Sequence, residues 1–226
     1  MPTLELQKKH LIIARWTHWV NFPVLFLMIW SGLLIYWAHD IYRIGWGNAT
    51  LIHFFPGWVY KLLRLDHRLA EGMAMHFVFA WIFVVNGLLY AAFVLLSRQW
   101  RLIVPDRESF TQAWQVTLHD LGLRKQAPPQ GKYNGAQKIA YSAIIIMGAG
   151  STLTGLAIYR PVQLAWLTAA LGGYSAARVE HFALTIGFVS FFVIHIAQVI
   201  RAGYSNFQSM ISGYELVSRN KEARHV

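Results

Sequence analysis

Long apolar runs separated by short polar ones dominate the chain. Four runs are long enough for a helix of about 20 mostly apolar residues to cross a bilayer, and they cover residues 11–37, 72–97, 139–159 and 179–200. Two further apolar segments, 51–63 and 162–171, are too short to span and are predicted to lie at the membrane interface. The pattern predicts an all-α integral membrane protein, in which residues 1–226 form a single domain built as a four-transmembrane-helix bundle.

Composition agrees with a membrane location. Hydrophobic residues make up 56% of the chain and charged residues 13%, whereas about a quarter of the residues in a soluble domain are charged. The absence of cysteine excludes disulfides, thiolate zinc sites, iron–sulfur clusters ligated by this chain and covalently attached c-type haem. A net charge of +10 is compatible with nucleic acid, but its bases cluster between apolar spans. That distribution fits an anionic lipid surface better than a nucleic acid.

Lysine and arginine counts predict the orientation of the bundle. The N-terminal flank, the loop 98–138 and the C-terminal flank carry fourteen of these residues, against six on the opposite side. Both termini are therefore predicted to be cytoplasmic, and the long aromatic loop 38–71 extracytoplasmic. The first run is too long for the apolar region of a signal peptide and no small-residue cleavage site follows it, so we expect it to remain as an anchor. No internal sequence repeat is evident.

Four of the ten histidines fall inside the spans: His18, His76, His181 and His195. An imidazole in hydrocarbon is costly unless it has a partner. The 14 residues between His181 and His195 correspond to about 21 Å of helix and to two heptads, so both rings share one face. Because successive spans alternate in direction, His18 matches the cytoplasmic depth of His195, and His76 the outer depth of His181. Two such bis-imidazole pairs predict two b-type haems stacked across the bilayer.

Histidines in membrane helices also have other uses. A lone intramembrane histidine is often only a helix–helix hydrogen bonder, but four at matching depths are not explained in that way. Zinc or copper would require more ligands, and only Glu180 adjoins any of the four. The other six histidines are assigned to surface or partner contacts. Haem propionates need cations, and the candidates, each of which could equally be a snorkelling residue, are Arg15, Arg160 and Arg178. Glycines that could admit a macrocycle, or equally allow close helix packing, are Gly32, Gly87, Gly148, Gly150, Gly155 and Gly187.

Several motifs carry a resemblance to a known family. They are Arg15-Trp16-Thr17-His18-Trp19 in the first span, the run GKYNGAQK over residues 131–138, Tyr159-Arg160-Pro161, and the two histidines 14 residues apart. The chain resembles the dihaem cytochrome b membrane-anchor subunits of respiratory formate dehydrogenases (the gamma subunit) and thiosulfate reductases over residues 11–213. The long aromatic outer loop favours the thiosulfate-reductase-like branch.

The resemblance implies a function. Such anchors lie in the bacterial cytoplasmic (inner) membrane and pass electrons between a quinone and a periplasmic molybdenum enzyme, usually through an iron–sulfur subunit. It also implies a quinone site formed by Asn134, Gln137 and the inner-haem ligand His195. This chain has Gly135-Ala136 where the formate dehydrogenase pattern has Ala then Gly. Independently, the polar residues 133–138 begin a span at the aqueous face, where quinone reduction takes up protons; the alternative is a simple polar helix start.

The sequence therefore predicts an electron-transfer subunit of an oxidoreductase complex, rather than the subunit that converts substrate. One alternative is a freestanding transmembrane haem reductase. A second is a proton channel or transporter that uses the four histidines as a relay, which the phenylalanines of the second and fourth spans disfavour. The partner's substrate, the direction of electron flow and the choice between menaquinone and ubiquinone stay open.

Overall fold

The computed structural model describes residues 4–39, 43–46, 49–126 and 133–218, and this part of the chain is mostly helical. Four helices are long and apolar enough to cross a membrane: α1 (Ile12–Tyr36), α3 (Leu69–Leu96), α6 (Gly135–Tyr159) and α8 (Tyr174–Ala202). They confirm the four predicted spans. The largest difference is at α8, which begins at Tyr174 instead of the predicted 179 because the polar turn before Val179 is also helical.

Short helices connect the spans. They are α2 (Gly57–Leu62), α4 (Trp100–Ile103), α5 (Arg107–Asp120), α7 (Ala165–Ala170) and α9 (Tyr204–Ser212). The helices α2 and α7 fall in the two short apolar segments predicted to be interfacial, and their place at the membrane surface stays a prediction. A 3₁₀ turn, Trp37–His39, extends α1.

Two antiparallel two-stranded sheets add a little β-structure to the predicted all-α fold. Strand β1 (Leu4–Lys8) pairs with β4 (Tyr214–Ser218), which brings the two ends of the described chain together. Between α1 and α3, β2 (Arg43–Trp46) pairs with β3 (Ala49–His53) with one irregularity in register. The side chain of Lys9, just after β1, forms a 2.9 Å ion pair with Glu215.

Helix α5 lies in the segment 98–138, which was predicted only as a polar loop. Asp106 caps its start by accepting a hydrogen bond from the backbone N–H of Ser109, and the Ser109 hydroxyl completes the capping box. A Cβ on Gly135 would collide with the Ser109 backbone, so α5 approaches the start of α6 closely. Lys138 on α6 forms a 3.0 Å ion pair with Asp106. This cap and the close approach explain why a polar segment is ordered here.

The chain divides into two compact units. One comprises Trp16–Leu88, and the other comprises Met1–Arg15 together with Leu89–Val226. We call α1 and α3 the first helix pair, whose contacts described below lie in the smaller unit. We call α6 and α8 the second helix pair, which lies in the larger unit. The single domain predicted for residues 1–226 stays a prediction.

Each helix pair has a close-packed point near one end. In the first pair a Cβ on Gly72 would lie 2.7 Å from the Cβ of the fully buried Leu34, so only glycine fits there without a shift. In the second pair Ala157 and Ala177 are fully buried in one apolar cluster with Leu167. Leu34 and Ala157 each lie two residues before the end of their helix, and Gly72 and Ala177 each lie three residues after the start of theirs. The same place is filled by Leu and Gly in one pair and by two alanines in the other.

Candidate functional site

His76 in the first helix pair is held by small residues of α1. The Oγ atom of Ser31 lies 3.0 Å from Nδ1 of His76. The Ser31 hydroxyl also lies 2.6 Å from the carbonyl oxygen of Leu27, one helical turn earlier. Next along α1, a Cβ on Gly32 would lie 3.6 Å from Cε1 of the same imidazole. A hydroxyl and a glycine therefore face one edge of the His76 ring.

His181 in the second helix pair has the same surroundings. The Oγ1 atom of Thr154 lies 2.8 Å from Nδ1 of His181 and 2.8 Å from the carbonyl oxygen of Gly150. A Cβ on Gly155 would lie 3.4 Å from Cε1 of His181. The dipeptides Ser31-Gly32 and Thr154-Gly155 thus make equivalent contacts in two separate units.

The shared geometry leaves each hydroxyl oxygen able to accept a hydrogen bond from the histidine. A hydroxyl has one proton, and the backbone carbonyl four residues earlier can accept it in each case. With the hydroxyl proton placed there, Nδ1–H would donate to the hydroxyl oxygen, and Nε2 would be the unprotonated nitrogen of a neutral imidazole. Metal-ligating histidines characteristically donate their other ring N–H in this manner. His76 and His181 therefore fit axial ligation of a haem iron.

The donor set agrees with haem better than with a metal held by protein alone. Within residues 4–39, 43–46, 49–126 and 133–218, no group of three or more His, Cys, Asp or Glu side chains could hold a metal ion. Single imidazoles on apolar helices are what a haem needs, because its porphyrin supplies the other four ligands.

His18 and His195 have different neighbours. The amide of the buried Asn86 donates to the carbonyl oxygen of Thr17 at 2.9 Å and to Oδ1 of Asn21 at 2.8 Å, which fixes the backbone of α1 beside His18. In the other unit, the ring of His195 lies parallel to that of Phe191, with their centroids 5.8 Å apart.

The predicted ligand pairs each join one histidine from either unit, so their pairing stays a prediction. The positions along the helices are nonetheless those that it requires. His76 and His181 both lie seven residues after the start of their helices, about 10 Å in. His18 lies six residues after the start of α1, and His195 lies seven before the end of α8.

Two tyrosines occupy the positions that correspond to His18 and His195 in the other helix pair. Tyr141 lies six residues after the start of α6, as His18 does in α1, and Tyr90 lies 14 residues after His76, as His195 does after His181. Tyr141 interacts electrostatically with both Tyr90 and Tyr133, and its ring lies 5.2 Å from that of Tyr133. The Tyr133 phenol is a hydrogen-bond donor at neutral pH, as an ordinary tyrosine is, and burial raises its pKa further.

Two of the predicted quinone residues form a helix cap. The side-chain oxygen of Asn134 accepts from the backbone N–H of Gln137 at 2.9 Å, and that of Gln137 accepts from the backbone N–H of Asn134 at 3.0 Å. Any quinone contact from these two side chains would therefore use their amide nitrogens. The close approach of Gly135 to Ser109 gives a packing reason for the Gly135-Ala136 order. Residues 131 and 132 of the same motif lie outside the described part of the chain.

The three candidate propionate partners lie near helix ends. Arg15 Nε donates to the carbonyl oxygen of Met210 at 3.3 Å. The guanidinium of Arg160 lies 4.6 Å from the ring centroid of Tyr159, and that of Arg178 lies 5.9 Å from that of Tyr174. These contacts leave the propionate roles as predictions.

The candidate glycines differ in what a Cβ would meet. Gly32 and Gly155 face the histidine rings, as described above. Gly150 and Gly187 serve helix packing. A Cβ on Gly150 would lie 3.1 Å from Leu184, and a Cβ on Gly187 would lie 2.8 Å from Met147. A Cβ on Gly87 would meet nothing within 4 Å.

Sequence reasoning missed Ser31, Thr154 and Asn86. Ser and Thr are common in membrane helices, and their own backbone usually satisfies them, so nothing in their identity indicates a contact with histidine. A usable signal was spacing, because the hydroxyl–glycine dipeptide begins five residues before the end of both α1 and α6.

Comparison with known proteins identifies a family. The profile of the family described as prokaryotic cytochrome b561 matches residues 9–213, which include all four histidines and both hydroxyl–glycine dipeptides. The putative protein-methionine-sulfoxide reductase subunit YedZ1 of Azospira oryzae is 31% identical over 196 residues, covering 86% of this chain and 91% of that relative. The comparisons show membership of the prokaryotic cytochrome b561 family. They do not single out the formate dehydrogenase or thiosulfate reductase branch.

Proposed function

The chain belongs to the prokaryotic cytochrome b561 family, and from that premise we propose that it carries electrons between a quinone and a periplasmic oxidoreductase through two bis-histidine b haems. Membership makes it a multi-pass membrane haem protein of the bacterial inner membrane, with a role in transmembrane electron transfer. The number of haems, the quinone and the partner are the proposal. The observation that carries it is the pair of equivalent hydroxyl–histidine hydrogen bonds, one in each helix pair.

Four histidines hold the two haems in this proposal. His76 and His181 bind the outer haem, and His18 and His195 bind the inner one. When bound, each haem supplies an iron that accepts and releases one electron. The protein sets the separation of the two sites, since the 14 residues from His181 to His195 correspond to about 21 Å of helix. Arg160 and Arg178 are proposed to neighbour the outer propionates, and Arg15 an inner one.

Moving an electron between the two depths crosses most of the bilayer. Each charge moved in full is coupled to the membrane potential at about 2.3 kcal/mol per 100 mV. Apolar side chains between the two histidine depths, such as the buried Phe188, exclude water from the path. A histidine relay for protons would instead need polar groups there.

We place the quinone site at the start of α6, near His195. Tyr133 and Tyr141 supply phenolic donors there, and Asn134 and Gln137 supply amide nitrogens. The phenol of Tyr133 is protonated at neutral pH, as tyrosines ordinarily are, so it can donate to a quinone oxygen. Protons would then be exchanged with the cytoplasmic face, which follows from the predicted orientation.

The quinone proposal is tested by a substitution that spares the helix cap. Asn134→Ser keeps a good N-cap oxygen and removes the amide nitrogens. We expect quinol-driven haem reduction to slow in Asn134→Ser and in Tyr141→Phe, while haem content and thermal stability stay at the wild-type level. Wild-type rates in both variants would remove this site from the proposal.

The proposed partner is a periplasmic molybdenum oxidoreductase that docks directly or through an iron–sulfur subunit. Apolar side chains of the outer loop support a docking role, since Leu51 and Trp58 are 76% and 66% exposed. The relative from Azospira oryzae is described as a reductase subunit, which favours electron flow from quinol, oxidised to quinone with release of two protons, to the periplasmic partner. A freestanding haem reductase would need no such surface.

Haem content tests the proposal as a whole. A pyridine haemochrome assay on the purified protein should give about two b haems per chain. His76→Ala and His181→Ala should remove one and the same haem, and His18→Ala and His195→Ala the other, while His67→Ala in the exposed outer loop should remove none. Loss of a common haem in His18→Ala and His76→Ala would contradict the pairing. Absence of haem in a folded preparation would contradict the electron-transfer function.

A further inference from the structure

We propose that Ser31 and Thr154 are positioning residues that hold His76 and His181 as Nδ1–H tautomers, so that Nε2 of each would be the nitrogen that holds the iron of the outer haem and both imidazoles would be more electron-rich ligands. The inference rests on the proposed ligation of one haem by these two histidines. It goes further by assigning to two hydroxyls an influence on the basicity of both histidine ligands, and through it on the redox potential of that haem.

The direction of each hydrogen bond follows from the backbone carbonyl that shares the hydroxyl. Ser31 Oγ is 2.6 Å from the Leu27 oxygen, and Thr154 Oγ1 is 2.8 Å from the Gly150 oxygen. Those short contacts take the single hydroxyl proton. At 3.0 Å and 2.8 Å from the imidazoles, the oxygens are left to accept from Nδ1–H.

Burial strengthens this arrangement. Ser31 has no exposed surface and Thr154 is 2% exposed, so water does not compete for either oxygen. If the imidazole flipped to the other tautomer, two acceptors would face each other in a dry site, at the cost of an unmade hydrogen bond. The hydroxyl therefore favours the Nδ1–H tautomer before haem binds, and at His181 the backbone of Ser151 also hydrogen-bonds the imidazole.

When the hydroxyl oxygen accepts a hydrogen bond from Nδ1–H, the imidazole becomes a more basic ligand. A more basic axial ligand stabilises ferric over ferrous iron, which lowers the reduction potential of the haem it binds. Because the same contact occurs in both helix pairs, both axial ligands of the outer haem are affected. Removing either hydroxyl should therefore raise the potential of that haem, and removing both should raise it further.

The test uses three threonine variants and one serine variant in the full-length protein. Thr154→Val removes the hydroxyl at nearly constant shape, whereas Thr154→Ser keeps a hydroxyl at that position. Ser31→Ala removes the other hydroxyl. The matched control is Thr152→Val on the same helix, because the Thr152 hydroxyl donates to the Gly148 carbonyl at 2.9 Å in the same way.

Potentiometric titration of the two haems and the EPR signal of the low-spin ferric haem are the readouts. We expect a raised potential and a changed g-value for the outer haem in Thr154→Val and Ser31→Ala, with wild-type values in Thr154→Ser and Thr152→Val. Haem affinity at the outer site should fall about 10- to 100-fold in the first two variants. If both variants keep the outer haem at its wild-type potential and g-value, the inference is wrong.

Haem loss is also interpretable. The positioning role is supported if Thr154→Val loses the outer haem while Thr154→Ser and Thr152→Val both keep it. Equal loss in Thr152→Val would show a general packing effect and overturn it. ¹⁵N chemical shifts of the histidines in haem-free protein give the tautomer directly. If His76→Ala and His181→Ala remove different haems or none, the proposed ligation fails, whatever the hydroxyl variants show.

Discussion

The two helix pairs solve the same problem with different residues. Each places a hydroxyl and a glycine against a histidine that lies seven residues into the second helix of the pair. The packing point beside that histidine holds Leu34 and Gly72 in one pair, and Ala157 and Ala177 in the other. The residues that orient the imidazole thus lie at the same helix positions in both pairs. At the neighbouring packing point, one pair combines a large and a very small residue, whereas the other combines two small ones.

The pairs diverge at the other depth. The positions that hold Asn21 and Asn86 in the first pair correspond to Ile144 and Phe191 in the second. The first pair has a buried amide that ties its helices together, and the second has an aromatic ring stacked on His195. The end of each pair that holds His76 or His181 is therefore alike in both pairs, and the opposite end is unlike. At that opposite end the positions equivalent to His18 and His195 hold tyrosines, and the quinone is proposed to bind there.

Enlarging the glycines that face the histidine rings should have the largest effect. Gly32→Val and Gly155→Val put branched carbons beyond a Cβ that already lies 3.6 Å or 3.4 Å from a histidine carbon, so each should displace the ring and abolish the outer haem. The pyridine haemochrome assay should fall to about one haem per chain in both. Gly87→Val is the control, because that position has room. Two haems in both glycine variants would show that the rings tolerate displacement.

Exchanging volumes at the packing point should have the next largest effect. Gly72→Ala alone brings a Cβ within 2.7 Å of Leu34 and should destabilise the protein by about 1–3 kcal/mol. Adding Leu34→Ala converts the first pair to the alanine arrangement of the second, and we expect it to recover part of that loss. Unfolding in detergent by a denaturant series measures both. Simple additivity of the two losses would show that the packing points are not equivalent.

Removing the buried amide should cost less. Asn86→Leu deletes hydrogen bonds to Thr17 and Asn21, and polar contacts between membrane helices average about 0.6 kcal/mol with a maximum near 1.7. The same denaturant series should show a loss in that range, and the spectrum of the inner haem should broaden because α1 is loosened beside His18. An unchanged spectrum with unchanged stability would mean that the amide has no such role.

The smallest effect concerns the tether of the second pair to α5. Lys138 and Ser109 lower the pKa of Asp106 from 3.8 to about 2. A carboxyl whose pKa is depressed in the folded protein contributes its stability above pH 3.8 and loses it as the pH falls through about 2. Asp106→Asn should therefore lower the thermal midpoint near neutral pH and match the wild type near pH 2. An equal difference at both pH values would assign the effect to the cap alone.

Hydropathy was enough to predict the four spans, because about 20 apolar residues in a row have few other uses. The sequence also places the four histidines along the helices, whereas their depths in a membrane and their pairing stay predictions. The hydroxyl contacts of Ser31 and Thr154 could not be predicted, since they depend on how two helices are rotated about their axes. The β1–β4 pairing joins segments about 200 residues apart, and no local pattern encodes such a contact. Helix α5 does have a local signal in the sequence, because Asp106 is an N-cap residue with Ser109 three positions later, although both lie in a polar stretch.

Haem content of the double variant His76→Ala/His181→Ala tests the central claim most directly. If one histidine from each helix pair binds the same haem, the double variant keeps about one b haem per chain, the same as either single variant. If the two histidines serve different haems, the double variant loses both, and the outer site described here does not exist.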